Sequence, residues 1–283
     1  MRSRLLLNLV LVVVVAVLGA IAFFEPALDE DGGPVAITAL EVNDIATLRV
    51  ERSNGSAVAF ARRDGVWWMV EPVEAVASDY RVQSVLNIAR ADSLARYDVA
   101  EADLAKLGLE PPELRVIYNG DTVIAFGAQA PMDQRRYVRI GDEVHLVSGS
   151  GYYHLVGHYP TFVDTALLPP GARITALHLP GLDLVQREQA WTVSPQPVDF
   201  SMDAVNVLLE HWRHTRALDV TRHQPRRSRG SVRVALADGG EITFAIMARE
   251  PELVLARPEL GLEYRLTAES AERLFTLPAT PSP

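Results

Sequence analysis

The chain has 283 residues, with 27 lysines and arginines against 36 aspartates and glutamates, so its formal net charge is −9. It contains no cysteine, which excludes disulfides, thiolate metal sites, cysteine nucleophiles and lipid modification of an N-terminal cysteine. The acidic balance argues against nucleic-acid binding, because proteins that bind nucleic acids present a basic face.

The N-terminal segment is apolar over the length of a bilayer. Residues 5–24 form a run of 20 residues that only Asn8 interrupts, and at about 1.5 Å per residue such a helix spans roughly 30 Å. Arg2 and Arg4 precede the run and acidic residues follow it, so the positive-inside rule keeps the N-terminus in the cytoplasm. We predict that residues 1–24 are a single-pass signal anchor in the cytoplasmic (inner) membrane and that the main domain is periplasmic or extracytoplasmic.

A cleaved signal peptide is the alternative for this segment, because Ala20-Ile21-Ala22 has the small-x-small pattern of a cleavage site. We favour the uncleaved anchor, since the apolar run continues through Phe24 to the length of a full span. A buried core helix fits poorly, because every face of the segment is apolar. Residues 25–35 are polar and contain glycine and proline, so we interpret them as a linker.

The sequence after the linker contains an internal duplication. The segments that recur are Ile37-Thr-Ala-Leu40 as Ile174-Thr-Ala-Leu177, Trp68-Met-Val-Glu-Pro72 as Trp191-Thr-Val-Ser-Pro195, Asp98-Val99 as Asp219-Val220, and Leu114-Arg-Val116 as Val232-Arg-Val234. We interpret Trp68 and Trp191 as packing anchors of the core.

Each copy also carries the apolar stripe of an amphipathic helix. The stripe follows the spacing i, i+3, i+4, i+7. Its members are Val82, Val85, Leu86 and Ala89 in the first copy and Val205, Leu208, Leu209 and Trp212 in the second. Ser78 and Ser201 precede the two stripes and are the predicted N-caps.

The predicted fold class is α+β, with the N-terminal transmembrane helix followed by two tandem copies of a mainly antiparallel β unit. Each unit has one amphipathic helix and a short closing helix, expected to begin near Gly151 and Ala268. Asn119-Gly120 and Asp238-Gly239 indicate β-hairpin turns. We place the first repeat at 36–168 and the second at 169–283, because the segment Leu167-Leu-Pro-Pro-Gly171 stops regular structure.

The first copy carries a set of motifs that could identify a family. They are Gly65-Val-Trp-Trp-Met-Val-Glu-Pro72, Asp103-Leu-Ala-Lys-Leu-Gly-Leu-Glu-Pro-Pro112, Gly127, Tyr137-Val-Arg-Ile-Gly141 and His145-Leu-Val147. We interpret Gly108 as a helix C-cap and Pro111-Pro112 as the start of an extended segment. Over residues 40–165 these motifs resemble a bacterial family classed as a domain of unknown function and numbered 4340, and the second copy matches more loosely.

The resemblance implies a membrane-anchored protein exposed outside the cytoplasmic membrane. It also implies association with gliding-motility-type ABC transporter components, which such proteins often accompany. It implies no catalytic residues.

Two pairs of histidines are the candidates for metal binding. His154 and His158 have the i, i+4 spacing that places two imidazoles on one helix face. Leu155 stands where a zinc protease would have its glutamate, so we do not predict a metal enzyme. His211 and His214 flank the second apolar stripe, and we interpret them as solvated.

The four arginines Arg222, Arg226, Arg227 and Arg229 form a strongly basic cluster in an acidic chain. Such a cluster could contact anionic lipid head groups or an acidic partner, at about 1 kcal/mol per basic residue near a charged membrane. The alternative is a solvated loop. Because the cluster appears where the copies diverge, it is the candidate partner or lipid contact.

The sequence contains no P-loop, dinucleotide fingerprint, His-Glu-x-x-His or kinase motif, so we predict no cofactor and no catalytic activity. We expect a membrane-anchored accessory or scaffold protein of an ABC transporter or other envelope complex. Its partners would be the membrane, through residues 5–24, and transporter subunits or other envelope proteins. One alternative is a ligand-binding module that uses the cleft between the repeats. Another is an enzyme, which would need clustered carboxylates or a third ligand for the histidine pair.

Overall fold

The structure, a computed structural model, describes residues 35–131, 133–188, 190–196 and 201–278. The predicted anchor over residues 1–24 lies outside the described residues, as does the predicted linker apart from Val35. In the part of the chain that is described, no helix is both long enough and apolar enough to cross a membrane.

Two antiparallel sheets dominate the structure. The first contains β1 (Thr47–Arg52), β2 (Ala57–Arg63), β3 (Val66–Glu71), β4 (Ala75–Val76), β5 (Ala95–Asp98), β6 (Leu114–Tyr118), β7 (Thr122–Gln129), β8 (Arg135–Ile140) and β9 (Glu143–Ser148). The second contains β10 (Ile174–Leu179), β11 (Leu182–Arg187), β12 (Ala190–Ser194), β13 (Asp219–Arg222), β14 (Ser231–Leu236), β15 (Glu241–Ala248), β16 (Glu252–Arg257) and β17 (Leu262–Thr267).

Short helices connect the strands. The α-helices are α1 (Asp79–Leu86), α2 (Met202–His214) and α3 (Glu269–Phe275). The 3-10 helices are Val42–Asp44, Asn87–Arg90, Val99–Glu101, Gly149–His154, Tyr159–Phe162 and Pro258–Leu260.

The strand order repeats between the sheets. The first sheet runs β4-β3-β2-β1-β6-β7-β8-β9-β5, and the second runs β12-β11-β10-β14-β15-β16-β17-β13. Apart from β4, which adds to the edge of the first sheet, each strand of one sheet has a counterpart at the same place in the other. The predicted α+β class is confirmed, and each copy of the duplication forms a sheet of its own.

The predicted helix stripes form the contact between helix and sheet in both copies. Each of the eight stripe residues is at most 2 % exposed. Ser201 caps α2 with its hydroxyl, which accepts a hydrogen bond from the Ala204 N–H at 3.2 Å. Ser78 holds the N-cap position of α1 without such a bond, so the predicted side-chain cap is confirmed in the second copy only.

The match of Ile37 with Ile174 is wrong. Ile37 lies in the irregular segment before β1, whereas Ile174 opens β10. The backbone bonds show that the counterpart of Ile37 is Leu167. Ile37 N–H donates to the carbonyl of Ala91, the C-cap of the 3-10 helix that follows α1. In the second copy, Leu167 N–H donates to the carbonyl of Thr215, the C-cap of α2.

The match of Asp98-Val99 with Asp219-Val220 is also wrong. Asp98 pairs with Glu143 at the start of β9, whereas Asp219 pairs with Arg265 well inside β17. Burial sets this register, since Val220 is 4 % exposed and faces the core. A two-residue match carries no information about register.

The tryptophan interpretation holds for one copy. Trp191 is partly buried and packs against the core. In the first copy the core tryptophan is instead Trp67, which is 3 % exposed. Trp68 points to the opposite face of β3 and lies 5.8 Å below the guanidinium of Arg63, as the alternation of side chains along a strand requires.

The predicted turns and closing helices are present. Asn119 and Gly120 both adopt positive φ, 50° and 82°, as a two-residue hairpin turn requires. In the second hairpin Gly239 has positive φ, and the Asp238 carboxylate accepts from the Gly240 N–H at 2.9 Å. The second closing helix is α3, whereas the first is the 3-10 helix Gly149–His154.

The two copies share one hydrophobic core. Buried side chains of both sheets form a single contact cluster, which includes Phe162 and Leu167 of the connecting segment. That segment pairs with the first copy through the bridge of Val163 to Ala77, and with the second through the bridge of Ala166 to Arg216. The connection is therefore packed against both copies.

We expect Tyr118→Phe to lower the free energy of unfolding by about 1 kcal/mol. Tyr118 is fully buried, and its hydroxyl donates to the carbonyl of Val85 at 2.8 Å, which ties α1 to β6. Burial raises the pKa of Tyr118, so the hydroxyl stays protonated and remains a donor. Urea denaturation measures the loss. Tyr97→Phe, at a side chain that is 47 % exposed, is the control, and an equal effect of the two changes would contradict the assignment.

Candidate functional site at the junction of the two copies

A cavity of about 390 Å³ lies where the two copies meet. Most of its lining comes from the first copy, and Arg222 at the end of β13 comes from the second. Its polar lining consists of Arg52, Asn54, Ser56, Glu71, His158, Tyr159 and Arg222. Binding sites often lie at such junctions.

Arg52 forms one wall of the cavity. It follows Leu48 and Val50 on the core-facing side of β1, and it is the last residue of that strand. One guanidinium nitrogen, Nη2, donates to the carbonyls of Leu155 at 2.8 Å and Gly157 at 2.6 Å. Burial lowers the pKa of Arg52, and no carboxylate in the described part of the chain forms an ion pair with it.

Arg222 forms the opposite wall. Its guanidinium lies 5.6 Å from the centre of the Tyr159 ring, within the range of a cation–π contact. The Tyr159 hydroxyl lies within hydrogen-bond distance of the carbonyls of Leu260, at 3.2 Å, and Gly261, at 3.0 Å. Tyr159 thus anchors the connecting segment to the second copy and supports Arg222.

Glu71 is the one carboxylate in the lining. It accepts hydrogen bonds from Arg49, which also donates to Glu51. The hydrogen bonds with Glu71 and Glu51 raise the pKa of Arg49. Glu71 is therefore already paired, whereas the two arginines of the cavity walls are not paired with any described carboxylate.

The four arginines of the predicted cluster have different surroundings in the structure. Arg222 lines the cavity, and Arg226 binds the carboxylate of Glu263 through two nitrogens at 2.5 and 3.0 Å. Arg227 and Arg229 are exposed. The four arginines thus differ in their partners, and contact of this cluster with a partner or a lipid stays a prediction.

Glu263 is a buried carboxylate at the centre of a hydrogen-bond cluster. It is 6 % exposed, and besides Arg226 it binds the Gln224 N–H at 3.0 Å and His223 Nδ1 at 2.8 Å. Burial alone would raise the pKa of Glu263, but the bonds from Arg226, Gln224 and His223 together outweigh it and lower the pKa. The cluster fastens the loop between β13 and β14 to β17.

We expect Arg226→Ala to lower the free energy of unfolding by about 1–3 kcal/mol at neutral pH, because it leaves a buried carboxylate short of its cation. Since the folded-state pKa of Glu263 is depressed, its stabilising contribution is present above the unfolded value of about 4.3 and is lost as pH falls below it. The difference between wild type and variant should therefore shrink below about pH 4. Arg227→Ala is the exposed control, and a difference independent of pH would contradict this account.

The expected one-face arrangement of His154 and His158 is wrong. His154 ends one 3-10 helix and His158 caps the next, because the chain leaves the first helix at Leu155. The two side chains line different cavities. Among the described residues, no group of three histidine, aspartate or glutamate side chains is placed to hold a metal.

The second histidine pair has structural partners. His211 Nδ1 lies 3.1 Å from the carbonyl of Arg273 and so connects α2 to α3. His214 Nε2 lies 2.9 Å from a Glu210 carboxylate oxygen one turn earlier. The His214 side chain is 76 % exposed, as expected for a solvated residue, whereas His211 belongs to the packing of the helices.

The motif Asp103 to Pro112 has a structural role. It lies in the connection from β5 to β6, which are four places apart in the sheet. Gly108 has the left-handed conformation expected of a helix C-cap, with φ of 67°. It closes a single turn rather than a helix, and in this turn Leu109 N–H donates to Leu104 O at 2.9 Å.

A second cavity, of about 460 Å³, lies in the first copy. In the second copy the indole of Trp212 packs on Phe244 with ring centres 6.0 Å apart. The sequence aligns Trp212 with Ala89, and in the first copy Phe126 has Tyr152 of the closing helix as its neighbour, also at 6.0 Å. The cavity lies beside Phe126 and Tyr152.

Sequence reasoning missed Arg52 as a residue of the junction. The available signal was its position, because Arg52 continues the alternation of Leu48 and Val50 that points to the core. A charged residue at a core-facing position is unusual unless it has partners.

Comparison with known proteins identifies the family. The profile of the family described as a domain of unknown function (DUF4340) matches residues 67–228, more than half of the chain. The match starts later than the expected resemblance over residues 40–165 and extends into the second copy. No significant match was found among curated proteins or among solved structures. The chain thus belongs to the DUF4340 family.

Proposed function

We propose that this protein is a membrane-anchored, extracytoplasmic accessory or scaffold of an ABC transporter or other envelope complex, without catalytic activity of its own. The observation that supports this most is the shared core, which makes one body of two sheets. Such a body offers a large fixed surface for partners. The apolar run over residues 5–24 supports the anchor, and the resemblance described above supports the transporter.

Polar contacts reinforce the joint between the copies. Arg216 donates to the carboxylate of Asp164 and to the hydroxyl of Thr165 at 3.1 Å. The backbone N–H of Ala217 donates to the carbonyl of Thr165 at 2.8 Å. A scaffold needs its binding surfaces held in a fixed relation, and these contacts oppose movement at the joint.

Crosslinking in the cell tests the scaffold proposal. The full-length protein at native level is crosslinked, solubilised, captured by affinity and analysed by mass spectrometry. We expect transporter permease or ATPase subunits, and we expect to lose them when residues 1–24 are replaced by a cleavable signal. Capture of the protein alone would contradict the proposal. Carbonate extraction tests the anchor separately, since a signal anchor stays in the membrane pellet.

The junction cavity favours a second proposed function, the binding of a ligand between the copies. Thermal unfolding of the full chain with panels of neutral and charged small molecules tests it. Ala57→Trp narrows the cavity, which Ala57 lines, and should abolish any stabilisation by a ligand. Ala61→Trp, on the same strand and outside the lining, is the control. Stabilisation that survives Ala57→Trp would place the ligand elsewhere.

A further inference from the structure

The junction cavity concentrates positive charge in a chain whose net charge is −9. Arg52 and Arg222 face it from the two copies, and neither forms an ion pair with a described carboxylate. Glu71, the carboxylate of the lining, is held by Arg49. The unpaired charges of this cavity are therefore both cations.

The geometry of Arg52 leaves donors available to a ligand. Its Nη2 is occupied by the carbonyls of Leu155 and Gly157. Those two bonds fix the orientation of the guanidinium plane, while Nε and Nη1 have no acceptor among the described residues. Withdrawing a cation from water is unfavourable without a counter-charge, so an anion bound here would gain a preoriented partner.

The remaining polar groups extend this set of donors. The ring of Tyr159 supports the guanidinium of Arg222, whose N–H groups also have no acceptor in the described part of the chain. Asn54 uses its Oδ1 to accept from Ser56, which leaves its amide N–H groups free to donate. His158 adds an imidazole to the same lining.

From this arrangement we propose that the junction cavity binds the phosphate group of a phosphomonoester, either a soluble metabolite or a lipid head group. The fork of Arg222 matches two oxygens of a phosphate, and Arg52 adds a positive charge with single donors at Nε and Nη1. A cavity of about 390 Å³ also accommodates the group that carries the phosphate. The proposal rests on the second proposed function and names the ligand class of that cleft.

Calorimetric titration of the full chain in detergent tests the proposal. The probes are glycerol 3-phosphate and the short-chain lipid dihexanoyl phosphatidic acid, with dihexanoyl phosphatidylcholine as the lipid control. We expect saturable binding of at least one phosphomonoester and none of phosphatidylcholine. Equal affinities for the two phosphomonoesters indicate a soluble ligand, and tighter binding of phosphatidic acid indicates a lipid.

Arg222→Gln is the decisive variant, because Arg222 is exposed and its loss leaves the core intact. Removal of one charged hydrogen-bonding partner should weaken phosphomonoester binding about tenfold or more. Arg52→Lys keeps the charge but loses the Nε and Nη1 donors, and it should weaken binding similarly while thermal unfolding shows a folded chain. Arg233→Gln removes the same charge from an exposed position on β14 outside the cavity, and it should change affinity less than about twofold.

Two results would overturn the proposal: no saturable binding of either phosphomonoester, or binding that Arg222→Gln leaves unchanged. If neutral molecules stabilise the wild type but not Ala57→Trp while no phosphomonoester binds, the cleft is a ligand site and the assigned ligand class is wrong. If nothing binds at all, both proposals fail. The scaffold function is tested independently by capture of partners.

Discussion

Trp212→Ala should lower the free energy of unfolding by about 3–5 kcal/mol, the loss typical of truncating a large buried aromatic side chain. Trp212 is fully buried. Its ring packs on Phe244, which in turn contacts Tyr264 with ring centres 6.0 Å apart. The truncation would open a void at the centre of the second copy that its neighbours fill only in part.

The indole N–H adds to this effect. It donates to the carbonyl of Leu274 at 2.8 Å and so ties α2 to α3. Trp212→Phe keeps most of the apolar contact and removes this bond, so we expect it to cost markedly less than the alanine change. Urea denaturation of the wild type, Trp212→Ala and Trp212→Phe measures the loss of the hydrogen bond and the loss of the apolar contact separately. Trp191→Ala, at a partly exposed tryptophan of the same copy, is the control, and an equal loss at the two positions would contradict the central role of Trp212.

The position of Trp212 also shows what the duplication preserved. Phe126 and Phe244 occupy matching places in the two sheets, and each packs on an aromatic ring that a helix supplies. That ring comes from the closing helix in the first copy and from the amphipathic helix in the second. The same packing requirement was thus met by different residues, and the first copy was left with a cavity beside the ring.

The helices and the hairpins could be predicted from the sequence because their signals are local. The stripe Val205, Leu208, Leu209 and Trp212 is set by the period of one helix and by the need to bury its apolar face. Asn119 and Gly120 predict a hairpin, since both tolerate positive φ. Such features depend on residues close together in the chain, and the structure confirms them.

The register of the strands and the junction cavity could not be predicted in this way. Asp98 and Asp219 look alike over two residues, but their places in the sheet depend on pairing with β9 and β17 far along the chain. Arg52 and Arg222 are 170 positions apart, and only the packing of one copy on the other brings them to one cavity. Their meeting is a tertiary effect with no local signature.

Gly127→Ala should lower the free energy of unfolding by about 2–3 kcal/mol, because the site has no room for a methyl group. A Cβ at Gly127 would lie 2.3 Å from the carbonyl oxygen of Leu107 and 2.8 Å from the side chain of Leu109. The backbone there is already fixed, since Ala128 N–H donates to Leu107 O at 2.8 Å. The clash is with backbone and cannot be relieved by rotating a side chain.

The expected structural consequence is release of the connection from β5 to β6. We therefore expect Gly127→Ala to increase proteolysis within residues 103–112 as well as to lower stability in urea. Gly240→Ala is the matched control, because its Cβ would meet only the side chain of Asp238, at 3.1 Å, and should cost less than about 0.5 kcal/mol. Equal stability of the two variants would show that the connection can move away from β7. In that case the close approach of Leu107 does not require a glycine at position 127. The motif Asp103 to Pro112 would then need an explanation other than packing against β7.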